Sequence, residues 1–185
     1  MMSISMVICL LLGLPLGLSL FLTNPKMKGH HPWLYWLLNF LVTVVRSFPY
    51  LLFVIALIPV TRSVLGKAFG PVPSSVPLSI VAIAIFARLV EQVLLDVPKE
   101  IGALANSLGT SRLQYVWYFL LVEARSGLVL AYTTTTVSMV SYSTVMGVIG
   151  GGGIGDFAVR VGYQRYEYGM MYVAIVIMIA LVFIL

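Results

Sequence analysis

A chain of 185 residues that is 61% hydrophobic and only 9% charged lies far below the charged content of about 25% that is usual for a soluble domain. Its apolar runs are continuous and lack period-two alternation, which argues against both a soluble globule and a membrane barrel. The net charge of +5 is small and scattered, so it suits the orientation of membrane loops rather than nucleic-acid binding.

The first element, Ser3 to Thr23, is long enough to span, since a helix needs about 20 apolar residues to cross a bilayer. It has no basic n-region and no small-residue cleavage site before Asn24, so it reads as a true span and not as a signal peptide. Its Gly13 and Gly17 form a GxxxG around Pro15, a pattern for close helix approach. Cys9 is the one cysteine, so no disulfide forms within the chain. "TNPKMKGHHP" follows as a polar turn; His30 and His31 are adjacent there but lack further ligands nearby, and no metal site is expected.

The second apolar window, Trp33 to Thr61, exceeds one bilayer thickness, so part of it must tilt, kink or leave the membrane. Arg46 within it is costly in lipid and marks either a pathway or a helix end from which it snorkels. Pro49 is expected to kink the span. After the turn "GPVPSS", the third span runs from Val76 to Leu95.

"DVPKEIGALANSLGTSRLQ", Asp96 to Gln114, is the longest polar stretch. Asp96 is placed to cap a helix and Pro98 to occupy its first turn. Ile101, Leu104, Ala105 and Leu108 fall on one face, and Gly109 is placed to end the helix in a left-handed conformation. Thr110 or Ser111 then caps a second helix that begins with Leu113 and Val116. A helix-turn-helix reader of DNA is excluded by the apolar "YVWYFLLV" and by Arg112 being the second helix's one phosphate-binding cation. Two readings stay open on physics alone: an element that docks on a soluble partner, and a connector that happens to be helical.

The fourth span covers Phe119 to Val148, another window longer than one bilayer. Thr134, Ser138 and Ser141 make a polar stripe along it, suited to helix packing or to lining a path. The glycine cluster Gly150 to Gly155 lacks the Lys-Ser/Thr of a phosphate loop and reads as a flexible turn or outer gate. Asp156, Arg160, Arg165 and Glu167 beside it are free to meet a partner or to stay solvated. The last span starts near Tyr168, which makes five in all. Lys26, Lys28, Arg88, Lys99, Arg112 and Arg125 fall on one side, against Arg62, Lys67, Arg160 and Arg165 on the other, which points the Asp96–Gln114 segment to the cytoplasm.

That segment resembles the cytoplasmic loop of ABC importer permeases, whose pattern is Glu-Ala-Ala, three residues, Gly, nine residues, then Ile-x-Leu-Pro. Ala103, Leu104 and Ala105 take the Glu-Ala-Ala positions, Gly109 the glycine and Leu121 the leucine, while the glutamate is absent and Val122 replaces the proline. "RSFP", "IPVTR", "FARLVE" and "GGGGIGDFAVRVGYQRYEYG" resemble, in order, the methionine-importer permeases, and the resemblance covers nearly the whole chain.

The resemblance implies an all-α membrane protein of five transmembrane helices with the permease fold of a type I ABC importer. A cytoplasmic coupling helix would lie between the third and fourth spans. Residues 1–185 would form a single permease domain, apparently clipped at both ends. It implies a homodimer of permeases in the bacterial inner membrane, two cytoplasmic ATPase subunits and an extracytoplasmic methionine-binding protein. Coupling would fall to Ala103, Leu104, Ala105, Leu108 and Gly109; the path to Arg46, Thr134, Ser138 and Ser141; and the outer gate to Gly150, Gly151, Gly152, Gly153 and Asp156. No cofactor and no catalytic residue is expected, since HExxH, GxSxG and paired intramembrane carboxylates are absent. Rival readings are a permease for another small amino acid, a transport-inactive paralogue acting as a scaffold, and an intramembrane enzyme.

Overall fold

The computed structural model describes residues 2–25, 32–67, 70–148 and 150–184, all helix and connection. Lys26, Lys28, His30 and His31 of the first connection lie outside the described residues.

The first helix, α1 (Met2–Thr23), is continuous and carries one π-helical turn at Cys9–Gly13. It lies against α4 (Ser75–Leu95), and the GxxxG pair explains how closely. A Cβ on Gly17 would stand 2.6 Å from both the Ala87 carbonyl oxygen and Val90 Cβ, and one on Gly13 would stand 2.9 Å from the Phe86 ring. At Gly17 the backbone of α4 itself leaves no room for a side chain, and at Gly13 the buried Phe86 ring leaves none. Small polar groups complete the seam: Ser5 Oγ donates to the Ser75 carbonyl at 3.2 Å, and Cys9 Sγ to the Ala82 carbonyl at 3.3 Å.

α4 is the axis of the fold. Leu78, Ala82, Phe86, Val90 and Leu94 recur on one helical face and are buried in the main core with Met6, Leu120, Ala124 and Met139. Ala84 and Ala87 on another face bury Leu20 and Val42, so α4 is packed on more than one side.

The long second window folds as two helices, α2 (Pro32–Ser47) and α3 (Tyr50–Leu65), bent by 110°. Pro49 stands before the first residue of α3 with φ −57°, where its missing N–H breaks the helix. The expected kink is therefore a sharp corner. α5 (Lys99–Ser107) and α6 follow; α6 runs over 112–148 as a first turn Arg112–Gln114, a π-helical turn Tyr115–Leu120 and a long helix Leu121–Val148. α7 is the short helix Ile154–Phe157 continued by the π-helical turn Ala158–Tyr163, and α8 is Tyr168–Ile184.

By length and composition, α1 and α4 are each able to cross a membrane, and the bent α2–α3 pair makes a third if it is one span. α8 is a shorter apolar helix. The 28 residues of Leu121–Val148 extend about 42 Å, more than the hydrocarbon core of roughly 30 Å.

A buried polar cluster fastens one end of the bundle. Glu91 of α4 is only 2% exposed, and its Oε2 lies 2.6 Å from Arg88 Nη1. Arg88 also donates to Asn39 Oδ1 of α2 at 3.1 Å, and Asn24 Nδ2, just past α1, donates to Glu91 Oε1 at 3.0 Å. Three helices thus share one ion pair, with each charge hydrogen-bonded as burial requires.

Candidate functional site

The segment after α4 departs from the expected capping. Asp96 closes α4 as its C-cap, and Pro98 takes the N-cap place of α5 instead of its first turn. The reason is local: α4 continues helically to Leu95, so Asp96 is still in helical conformation when the chain reaches the proline.

α5 buries one edge of its apolar stripe and leaves the other edge uncovered. Ala105 is 1% exposed and Ile101 half-buried, facing the chain, whereas Leu104 and Leu108 are 50% and 64% exposed. Gly109 ends the helix at φ +66°, the left-handed conformation that spares glycine alone a Cβ penalty. Thr110 then folds back, its N–H and Oγ1 both donating to the Ala105 carbonyl at 3.2 and 2.9 Å.

Ser111, not Thr110, caps α6. Its Oγ accepts from the Gln114 N–H at 3.3 Å, while Gln114 Oε1 accepts from the Ser111 N–H at 2.8 Å. This reciprocal box fixes the entry into α6. The π-helical turn that follows packs on α5, and burial pushes the Tyr115 phenol above its ordinary value. Leu113 and Trp117 lie outward, 72% and 60% exposed. With Leu104 and Leu108 they leave a set of large apolar side chains uncovered on a polar, rigidly capped unit. Ala103 is exposed there too.

Along α6, Thr134 and Ser141 are exposed and Ser138 is half-buried. The hydroxyls of Thr133–Thr136, Ser138, Ser143 and Thr144 each donate to a carbonyl of their own helix, at 2.7 to 3.1 Å. Such back-bonding is how hydroxyls are satisfied within a helix. Ser141 and Thr144 line a cavity of about 420 Å³ with Val140 and with Met178, Ile179, Val182 and Phe183 of α8.

Arg46 lies in the last turn of α2, exposed, beside the corner. Tyr50 opens α3 and packs on Tyr142 of α6, ring centroids 4.6 Å apart, with its hydroxyl oxygen buried and unpartnered. The corner thus sets the start of α3 against α6 at Tyr142, next to Ser141 in the chain.

In the glycine cluster, Gly150, Gly152 and Gly153 take φ of +84°, +74° and +94°. Gly151 is closed in, since a Cβ there would stand 2.7 Å from the Met146 carbonyl oxygen and from Ser74 Oγ. The segment is a defined turn that sets Gly155 against Thr144 of α6. Asp156 is paired within the chain, its Oδ2 3.1 Å from Arg160 Nη2, whereas Arg165 and Glu167 are exposed.

Sequence reasoning missed the Glu91–Arg88–Asn39–Asn24 cluster. Its signal was the opposite charges three residues apart in "FARLVE", which a charge-spacing rule singles out. Among the described residues no cluster of His, Cys, Asp and Glu suited to a metal is found.

Residues 6–185 match the family described as the binding-protein-dependent transport system inner membrane component. The chain belongs to that family. It is 40% identical over 171 residues, 92% of its length and 76% of the relative's, to a probable D-methionine transport system permease protein MetI of Vibrio cholerae. A second such protein, from Pasteurella multocida, is 34% identical over 179 residues, covering 97% of this chain and 82% of the relative. Among solved structures, an inward-facing conformation of the MetNI methionine ABC transporter superposes with a TM-score of 0.95 at 32% identity, over 99% of this chain and 85% of that one. A structure of an amino acid ABC transporter with histidines, 19% identical, shares the fold at a TM-score of 0.71. Family membership makes the chain a membrane transport component and places the apolar helices in the inner membrane.

Proposed function

We propose that this chain is the permease subunit of an ABC importer for methionine. The observation that carries the reading is the superposition of nearly the whole chain on a permease of the methionine transporter, at an identity that shows more than shared fold. Relatives at 40% and 34% identity are named as D-methionine permeases, which supports the same substrate class.

In this reading the chain crosses the membrane five times, as α1, the α2–α3 pair, α4, α6 and α8. Two copies enclose the path, two ATPase subunits sit in the cytoplasm, and a methionine-binding protein docks outside. The unit of α5, Gly109 and the start of α6 is the coupling element. Its exposed Leu104 and Leu108 offer apolar surface that needs a protein groove, because this segment is too polar to lie in lipid. Ala103, Ala105 and Gly109 give that surface its shape. Thr134, Ser138, Ser141 and Arg46 border the path, and Gly150–Gly153 with Asp156 form the outer gate. The chain has no nucleotide loop, so ATP is hydrolysed by the partner.

The test is reconstitution of the chain with its ATPase and binding protein in proteoliposomes. Labelled methionine should accumulate only with ATP and all three components present. Accumulation of a different amino acid in place of methionine would sink the substrate, and a purified chain that hydrolyses ATP alone would sink the division of labour.

A further inference from the structure

The hydroxyl stripe on α6 has a polarity of its own. A hydroxyl carries one donor proton and two acceptor lone pairs. Thr134, Ser138 and their neighbours have spent that proton on carbonyls of their own helix. What they present to a passing molecule is acceptor oxygen. An ammonium group is served by such a wall; a carboxylate, which only accepts, is not.

The missing donors stand at the α2–α3 corner. Arg46 is exposed and makes no hydrogen bond or ion pair among the described residues. It lies in the last turn of α2, about 21 Å along the helix from Pro32, and a guanidinium left unpaired at that depth of an apolar span is costly. Four residues on, across the corner, Tyr50 has its hydroxyl buried without a partner and its ring against that of Tyr142, which adjoins Ser141 and lies one turn from Ser138. An arginine that only anchored α2 to lipid headgroups would account for its own exposure. It would not account for a second unpartnered donor four residues on, at the start of α3.

We propose that Arg46, assisted by the Tyr50 hydroxyl, meets the α-carboxylate of the substrate in transit while the hydroxyl oxygens of α6 take its ammonium. The ligand class is a zwitterionic α-amino acid. The inference rests on the importer reading above and adds the polarity of the path. Contact to one bidentate cation fixes orientation and, without a closed pocket, lets the substrate leave.

The experiment uses the complete complex in proteoliposomes, with Cys9→Ser as the parent. Arg46→Cys should lower methionine uptake at least about tenfold, the loss of one charge-assisted hydrogen bond, while the ATPase still co-purifies. A trimethylammonium methanethiosulfonate should restore uptake, and a sulfonate one should not. Methionine-loaded binding protein with ATP should slow the modification. Arg46→Lys should retain most uptake, and Tyr50→Phe should lose part of it. The idea is overturned if Arg46→Cys transports like the parent, if both reagents restore uptake equally, or if substrate leaves the modification rate unchanged. Loss of ATPase co-purification in both Arg46→Cys and Arg46→Lys would make Arg46 a folding residue and overturn it too. A parent that imports no methionine would instead sink the importer reading.

Discussion

Two glycines separate backbone freedom from close packing. Gly109 has φ +66° and nothing within 4 Å of a Cβ, so a side chain there meets backbone strain alone. Gly109→Val is expected to cost roughly 1–2 kcal/mol at the cap and to tilt α5 away from its partner. Uptake and ATPase co-purification should fall together, with the permease still abundant in the membrane, and Gly109→Asn should be milder because asparagine tolerates the left-handed region. Wild-type behaviour of Gly109→Val in both assays would reduce the segment to a connector. Gly17 is the opposite case: its φ is helical and its space is taken by Ala87 and Val90. Gly17→Ala should therefore destabilise the chain in detergent by about 1–3 kcal/mol, seen as a lower melting temperature, whatever its effect on coupling. Both glycines were legible from their spacing. The caps were only half so, because the choice between Thr110 and Ser111 depends on how α5 ends, and the handover from Asp96 to Pro98 on where α4 stops.

Elements carry two further consequences. On α5 the periodicity puts Ile101, Leu104, Ala105 and Leu108 on one stripe, and the chain covers only one edge of it. Ile101 and Ala105 pack inward while Leu104 and Leu108 stay uncovered. Since those leucines add nothing to the chain's own core, the pair Leu104→Ser and Leu108→Ser should leave permease abundance unchanged. ATPase co-purification should fall at least about tenfold, since burying one leucine is worth roughly 1.5–3 kcal/mol. Undiminished co-purification would move the docking surface elsewhere. On α4, Glu91→Ala takes the carboxylate from Arg88 and removes the bond between Asn24 Nδ2 and Glu91 Oε1, inside a contact shared by three helices. Removing one partner of a buried pair costs about 3–5 kcal/mol, so the variant should melt well below wild type, and Glu91→Gln should fall between them. Equal melting of Glu91→Ala and wild type would show that the cluster holds nothing together. The charge spacing was visible in the sequence, but its burial was not, since that depends on where α1 and α2 end.

At the scale of the whole molecule, the helical class and most helix positions were written in the apolar windows, and α8 begins at the expected Tyr168. The 110° corner was visible only as Pro49, because its size is set by how α3 packs on α6. The π-helical turns left no pattern at all; each adds one residue to a turn without changing the composition. Topology is the remaining property of the whole chain, and it follows from crossing number. The five crossings proposed above would put Lys99 on the side opposite to Lys67 and Arg165, all three exposed. Cysteines at these positions, in a Cys9→Ser background, should react with an impermeant thiol reagent from opposite faces of sealed vesicles. Lys67→Cys and Arg165→Cys should label from outside and Lys99→Cys only after the vesicles are opened or inverted. Cys9 itself is fully buried, so its replacement by serine keeps the bond to Ala82 and should not disturb the assay. If Lys67→Cys and Lys99→Cys label from the same face, α4 does not cross the bilayer. The coupling segment and the far end of α3 would then share one side, and the proposed five-span arrangement would fall.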